Sequence, residues 1–163
     1  MTLRIVNARE VRELLTMDRA IELMREAMAL VARNETVQPL RNALWLPDKR
    51  GLLGLMPGYV AKPERLGVKV LTVMPSNFAK GLPSHQGMVM LFNTEHGAPE
   101  AIIDAQTVTA IRTAAATAVA TDVLARPDSK SAGSAEGTGV SYRARKFSLY
   151  WCIKVNTCAA VSG

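Results

Sequence analysis

Two isolated cations lie on otherwise apolar segments of this 163-residue chain. Lys69 stands in the run LGVKVLTVMP, which predicts a strand with one ammonium between valines. Arg112 stands among Thr and Ala in the run DAQTVTAIRTAAATAVATDVLARP, which predicts a helix capped by Asp104 and ending near Pro127. Burying a charge is costly unless an opposite charge meets it. Both cations would therefore suit an anionic ligand such as a substrate carboxylate.

Each cation also has an ordinary structural explanation. Lys69 could lie on an exposed strand face with its stem along the sheet, and Arg112 could be a helix-surface residue. Arg41, which precedes an apolar run, could be a solvated or ion-paired residue at a strand edge. For Lys69 and Arg112 the alternative is contact with a substrate carboxylate, because guanidinium and ammonium groups both bind carboxylates well.

The elements that must position these cations follow from hydrophobic periodicity. A short strand at 3–6 and a helix at 8–15 precede a longer helix, Met17 to Arg33, which Thr16 can cap. After it the pattern changes to strands broken by Gly and Pro, followed by the helix of Arg112. This order predicts an α+β fold with a mixed, largely antiparallel sheet packed with helices. The predicted strands of this part are 40–46, 52–56, 66–74, 88–93 and 99–103.

Two further local predictions concern packing and loops. In the longer helix Met17, Ile21, Met24, Met28 and Val31 recur at helical spacing, which favours a stripe that packs in the core. Residues 75–86 are rich in turn formers and predict a loop that could hold binding groups over a rigid sheet. Residues 93–97 predict a hairpin turn.

Composition narrows the class of protein. Hydrophobic content of 48% and charged content of 21% are those of an ordinary globular chain, with no stretch long enough to span a bilayer. The N-terminal residues lack the pattern of a signal peptide, so a cytoplasmic location is expected. The net charge of +6 is scattered, without a basic stripe and interleaved aromatics, which argues against nucleic-acid binding. Cys152 and Cys158, with no His nearby, make a poor metal site.

An ordered set of short motifs resembles the N-terminal half of the ornithine cyclodeaminase/mu-crystallin family. The resemblance covers about residues 1–131 with natural spacing. The matching residues are Arg41 in PLRNALW, Leu55-Met56-Pro57, Lys69 in GVKV, His85-Gln86-Gly87 and Arg112-Thr113-Ala114-Ala115.

This resemblance implies NAD-dependent chemistry on a small amino-acid substrate. In the family, ornithine is converted to proline and ammonia, and relatives act as amino-acid dehydrogenases or ketimine reductases. It implies that Arg41, Lys69 and Arg112 bind the substrate carboxylate and that Lys69 is also catalytic, by polarising a carbonyl or imine. Gln86 and Thr113 would contact the cofactor. The N-terminal sheet of the family forms a homodimer contact, so a homodimer is expected.

The resemblance also predicts where a nucleotide-binding domain would open. Gly137 and Gly139 fall at that point and are weak candidates for cofactor contacts, but no apolar strand precedes them and Tyr142 occupies the third small position. We therefore expect a substrate-binding and dimerisation domain at 1–131. Residues 132–163 would be a truncated or frame-disrupted stub, an incomplete start of a Rossmann-type domain.

One departure from the family bears on substrate choice. Some ornithine-converting relatives carry an acid directly before Leu-Met-Pro, where it can engage an amino group, whereas this chain has Gly54. Ornithine is therefore less favoured, and alanine, another amino acid or a cyclic ketimine remains open. The alternative to an enzyme is a catalytically inactive, truncated dimerisation module.

Overall fold

The computed structural model describes residues 2–126, and these residues form three α-helices and one sheet of seven strands. A short 3-10 helix, Pro75–Lys80, lies between β5 and β6. In chain order the elements are β1 (Arg4–Val6), α1 (Ala8–Leu14), α2 (Met17–Ala32), β2 (Thr36–Val37), β3 (Asn42–Trp45), β4 (Leu52–Ala61), β5 (Glu64–Val73), β6 (His85–Phe92), β7 (Pro99–Asp104) and α3 (Ala105–Leu124).

The sheet has the strand order β1-β7-β6-β5-β4-β2, and β3 pairs with β4 beside β2. Strands β4 to β7 are successive antiparallel neighbours, and β2 and β3 are antiparallel to β4. The first strand is parallel to the last, with Arg4 opposite Ala101. The predicted α+β class with a largely antiparallel sheet is confirmed.

Side-chain caps begin each of the three α-helices. Asn7 accepts from the backbone N–H groups of Arg9 and Glu10, and the Glu10 carboxylate accepts from the Asn7 N–H, which completes a capping box. Thr16 caps α2 as predicted. Asp104 ends β7 and caps α3 by accepting from the Thr107 N–H at 2.8 Å. The last cap fixes where α3 leaves the sheet.

The core lies between the three helices and one face of the sheet. Val11 of α1, Ala20 of α2, and Ile111 and Ala115 of α3 form its buried centre, and small residues let α3 approach its neighbours closely. The predicted stripe of α2 is confirmed for Met17, Ile21 and Met24, which pack against this centre. It is wrong for Met28 and Val31, which are exposed near the end of the helix, beyond the buried centre.

The opposite face of the sheet, the open face, is apolar and is covered by no helix of residues 2–126. Alternation along the strands places there a set of exposed large side chains, among which Ile5 is 72% exposed and Met88 is 43% exposed. Neighbours on the same face such as Val68, Val70 and Met90 are partly buried and also apolar, whereas Thr72 and Gln86 there are polar and exposed. The exposed members are Ile5, Leu44, Leu55, Leu66 and Met88.

The largest differences from the predicted strands are the end of β4, the start of β6 and one short strand that was not predicted. β4 continues through Pro57 to Ala61, because β3 and β2 pair with residues on either side of Pro57 and leave no strand opposite the proline on that edge. β6 begins at His85 rather than in a loop, because His85 pairs with Val73 of β5. The two-residue strand β2 had no recognisable sequence pattern.

Predictions for the C-terminal segment fall on residues outside those described. They comprise the cofactor contacts of Gly137 and Gly139 and the domain boundary at 131. Within residues 2–126, no helix combines the length and the apolar character that crossing a membrane requires.

Candidate functional site

Lys69 lies on the face of the sheet that the helices cover. In the strand register it is opposite Met56 of β4 on one side and Val89 of β6 on the other, and Val89 is opposite Ile103 of β7. Directly paired residues share one face of a sheet. Because Ile103 packs against the helix core, the row through Lys69 points the same way. Within the four paired residues Met56, Lys69, Val89 and Ile103, Lys69 is the charged member and the others are apolar.

The Lys69 ammonium reaches the underside of α3. Its Nζ donates to Oγ1 of Thr109 at 3.4 Å, and both residues are partly buried. The ion pairs among residues 2–126 do not include Lys69. A long bond to a neutral hydroxyl leaves the charge uncompensated and two ammonium protons free for a ligand.

The structure brings the other two predicted cations to the same place. Arg112 follows Thr109 by three positions, so the two residues lie on adjacent turns of one helix face. Arg41 immediately precedes β3, and extending the β3–β4 register by one residue puts it opposite Met56, beside Lys69. Both arginine side chains are exposed. The cluster therefore lies on the helix side of the sheet, at the edge of α3, and its two arginines are accessible to solvent.

Electrostatics supports this grouping. Partial burial lowers the pKa of Lys69 below its ordinary value, and the positive charges of Arg112 and then Arg41 lower it further. The two guanidinium charges therefore lie near enough to the Lys69 ammonium to repel it. A small anion would relieve the repulsion and compensate the desolvated ammonium.

A carboxylate fits this cluster chemically. The two guanidinium groups can offer paired N–H donors to two oxygens, and the ammonium can add a donor from the sheet side. Met56 lies between Arg41 and Lys69 in the row and supplies an apolar floor. The arrangement can therefore hold an acid group and leave the adjoining carbon skeleton against an apolar surface.

The structure does not bring Gln86 to this cluster. Gln86 is opposite Thr72 in the β5–β6 register, and alternation along β6 places it on the face opposite Val89. Its side chain donates to the Pro83 carbonyl at 3.4 Å. His85, beside it, is exposed and its Nδ1 lies 2.9 Å from the Ser84 hydroxyl. The cofactor contact assigned to Gln86 stays a prediction.

Thr113, the other predicted cofactor contact among the described residues, directly follows Arg112 on α3, and its side chain is exposed. The cofactor contact assigned to Thr113 stays a prediction.

The N-terminus of α3 does not suit a pyrophosphate, because the Asp104 carboxylate already occupies it and would repel a second anion. The turn from β7 into α3 also lacks glycine. Within residues 2–126, the cationic cluster thus suits a carboxylate chemically, whereas the start of α3 does not suit a dinucleotide.

Gly54 is buried on the same face as Lys69, diagonally across the β4–β5 pair, where it is opposite Leu71. A Cβ at this position would make ordinary contacts, 3.6 Å from Cδ1 of Leu52. The absence of a side chain here therefore leaves space next to the cluster, and an acid at this position would point toward the cations.

Sequence reasoning missed Thr109. A threonine inside a helix is unremarkable alone, and only its spacing of three from Arg112 marks it as a neighbour of that residue. The contact with Lys69 depends on how α3 crosses β5, which no local pattern reports.

Several known proteins are similar to this chain in sequence and fold. The chain is 34% identical over 126 residues to a Delta(1)-pyrroline-2-carboxylate reductase of Bacillus cereus. The matched residues make up 77% of this chain and 39% of that protein. The solved Thermococcus litoralis Delta(1)-pyrroline-2-carboxylate reductase, in complex with NADH and L-proline, superposes with a TM-score of 0.73 at 35% identity. That match covers 78% of this chain and 39% of the other.

An archaeal alanine dehydrogenase dimer with bound NAD superposes with a TM-score of 0.74 at 33% identity, over 80% of this chain and 39% of the other. The chain thus spans about two fifths of the length of these relatives. The sequence model of the ornithine cyclodeaminase/mu-crystallin family matches residues 2–156, past the predicted boundary at 131. With this match over most of its length, the chain belongs to the ornithine cyclodeaminase/mu-crystallin family.

Proposed function

We propose that residues 2–126 form the substrate-binding part of an NAD-dependent oxidoreductase that acts on a small amino acid or a cyclic imine with a carboxylate. The observation that carries this proposal is the partly buried Lys69 ammonium, grouped with Arg112 and Arg41 and paired with no acid in that part of the chain. Arg41, Lys69 and Arg112 would bind the substrate carboxylate.

Lys69 has a second proposed role as the catalytic residue. Because burial and the neighbouring arginines lower its pKa, Lys69 gives up a proton more readily than an ordinary lysine. An ammonium of this kind, positioned over an apolar floor, can donate a hydrogen bond to a carbonyl oxygen or imine nitrogen next to the bound carboxylate. That donation would make the adjoining carbon more electrophilic.

When bound, NAD supplies or accepts the hydride in this class of chemistry. We propose that it is held mainly by residues outside 2–126, with Thr113 as a contact from α3 and Gly137 and Gly139 as the sequence-based candidates. The proposal draws on the NAD or NADH named with two similar solved proteins. The function of the described residues is to bind and orient the acid group, and this needs no cofactor.

Within the family, we favour reduction of a cyclic imine or dehydrogenation of a simple amino acid over cyclisation of ornithine. Gly54 leaves no acid to hold a second amino group beside the cluster. The similar proteins that are named for pyrroline-2-carboxylate reduction and for alanine dehydrogenation support the same choice. Conversion of ornithine to proline and ammonia is the alternative.

The direct test is a binding comparison with the full chain. L-proline is titrated against L-prolinamide, which has the same ring and amine but no carboxylate, and binding is followed by calorimetry or NMR. We expect L-proline to bind more tightly, and Arg41→Gln and Arg112→Gln each to reduce the difference. Equal binding of the two ligands would contradict the clamp. NADH fluorescence titration and reduction of Delta(1)-pyrroline-2-carboxylate then test the cofactor and the reaction.

A homodimer through the open face is the second proposal. A broad apolar sheet face uncovered by residues 2–126 is typical of an interaction surface, and the similar archaeal alanine dehydrogenase is a dimer. We expect light scattering to give twice the chain mass. Met88→Lys, on the open face, should shift the protein to monomer, while the matched Val31→Lys, at an exposed position of α2, should not. A Met88→Lys variant that still has twice the chain mass would contradict a dimer through the open face.

The predicted domains, 1–131 and 132–163, and the predicted cytoplasmic location remain proposals from the sequence. A dimer that binds neither L-proline nor NADH would favour the alternative, an inactive dimerisation module.

A further inference from the structure

One contact of the site has no assigned role. The Thr109 hydroxyl is the hydrogen-bond partner of the Lys69 ammonium, at 3.4 Å, and it is supplied by the same helix that carries Arg112. The bond crosses from the sheet to the helix and links residues 40 positions apart. Its location among the three cations makes it a candidate for organising them.

The choice of a hydroxyl matters for the charge of the site. An Asp or Glu at position 109 would neutralise Lys69 and compete with an incoming carboxylate. A Val or Ala would leave the partly buried ammonium without an acceptor on the helix side. A threonine satisfies one ammonium proton and adds no charge, so the cation remains able to bind an anion.

The backbone position also sets the geometry. Thr109 and Arg112 are three residues apart on α3, so a lysine side chain tethered to the first lies beside the second. Thr109 is β-branched, which restricts its side-chain rotation within a helix. The acceptor oxygen is thus held on a rigid element, as a well-positioned binding group requires.

We infer that Thr109 is a positioning residue, whose hydroxyl holds the Lys69 ammonium beside Arg112 so that both cations meet the same substrate carboxylate. This inference rests on the proposed carboxylate-binding function. Thr109 does not itself touch the substrate in this arrangement, and its effect on binding passes through Lys69.

The test uses the full chain with Thr109→Val, which keeps the shape and removes the acceptor, and Thr109→Ser, which restores it. Thr117→Val is the matched control, because Thr117 is exposed on the same helix and donates to the Thr113 carbonyl instead. Circular dichroism and thermal unfolding establish that each variant is folded. Competitive acetylation over a pH series, read by mass spectrometry of the Lys69 peptide, follows the proton affinity of Lys69 without any ligand.

We expect Thr109→Val to lower the pKa of Lys69 further, because an acceptor for the charged form is lost, and Thr109→Ser to return it toward the parent value. L-proline binding should weaken by about three- to tenfold in Thr109→Val and recover in Thr109→Ser. Thr117→Val should match the parent protein in both measurements.

The inference is overturned if folded Thr109→Val titrates at Lys69 like the parent, or if Thr109→Ser behaves like Thr109→Val. If the acetylation result holds while the parent chain does not discriminate L-proline from L-prolinamide, the contact positions Lys69 but the carboxylate proposal fails. If Thr109→Val does not fold, Thr109→Ala replaces it as the variant without an acceptor. A folded Thr109→Ala in which Lys69 titrates like the parent then overturns the inference, and a lowered Lys69 pKa supports it.

Discussion

Lys69 of β5 and Thr109 of α3 are joined by one hydrogen bond that connects the sheet to the helix above it. The bond places an ammonium from the sheet on the same side as the guanidinium of Arg112 from the helix. Neither element alone could form the cluster. Lys69 and Arg112 are therefore brought together by the packing of α3 on the sheet, and changes that displace α3 should alter the surroundings of Lys69.

The first prediction concerns stability and pH. Folding lowers the pKa of Lys69, so the unfolded chain binds more protons in the range between the lowered value and the ordinary lysine value. The free energy of unfolding of the parent protein should rise with pH across that range. Below the range Lys69 is charged in both states, and the cost of holding this charge in the folded protein is then at its largest. Lys69→Met should be the more stable protein at neutral pH, by about 1 kcal/mol or less because the side chain is only partly buried.

Urea unfolding at a series of pH values measures this difference, and it should shrink as the pH approaches the ordinary lysine value. Lys80→Met, at an exposed lysine, is the control for loss of one positive charge. A constant gap between Lys69→Met and the parent at all pH values would contradict the prediction.

The second prediction ranks the two arginines. Arg112 lowers the pKa of Lys69 more than Arg41 does. Arg112→Gln should therefore raise the Lys69 pKa more than Arg41→Gln, and both should raise it relative to the parent. Competitive acetylation of the Lys69 peptide measures the order. Arg9→Gln, at an exposed position of α1, removes the same charge elsewhere and should leave the Lys69 pKa unchanged. The reverse order of the two site variants would count against the cluster geometry.

The sequence could predict the features that neighbouring residues determine, but not those that depend on how distant strands and helices pair. Lys69 and Arg112 were visible because a single charge in an apolar run is costly wherever the run is buried. The caps of Thr16 and Asp104 were equally local. The continuation of β4 past Pro57 was not, because it depends on the gap between β3 and β2. Nor was the side of the sheet that Gln86 occupies, which follows from its pairing with Thr72.

The third prediction compares two glycines of the sheet. A Cβ at Gly87 of β6 would collide with the carbonyl oxygen of Val70 and lie 2.6 Å from Cα of Leu71, both on neighbouring β5. Backbone cannot move aside as a side chain can, so Gly87→Ala should destabilise the protein by about 2–3 kcal/mol. Gly54→Ala, whose Cβ meets only ordinary contacts, should change the stability by less than about 1 kcal/mol.

Urea denaturation of the two alanine variants beside the parent gives the comparison. Similar midpoints for Gly87→Ala and Gly54→Ala would show that β6 does not approach β5 as closely as described.

The fourth prediction uses the space at Gly54. A carboxylate placed there, diagonally across from Lys69, should raise the Lys69 pKa and weaken L-proline binding by at least about tenfold through repulsion of the ligand. Gly54→Glu is compared with Gly54→Gln, which has the same size and no charge. Equal losses in both variants would mean that volume, and not charge, governs this position.

The parallel pairing of β1 with β7 has a consequence for synthesis of the chain. Arg4 is paired with Ala101, and 101 − 4 = 97 positions separate them. At about 5–20 residues per second, a ribosome makes the partner strand some 5–20 seconds after the first. Each of β4 to β7 can pair with its predecessor as it emerges, whereas β1 must wait for the whole meander. Of the seven strands described, the one synthesised first is thus the last to enter the sheet.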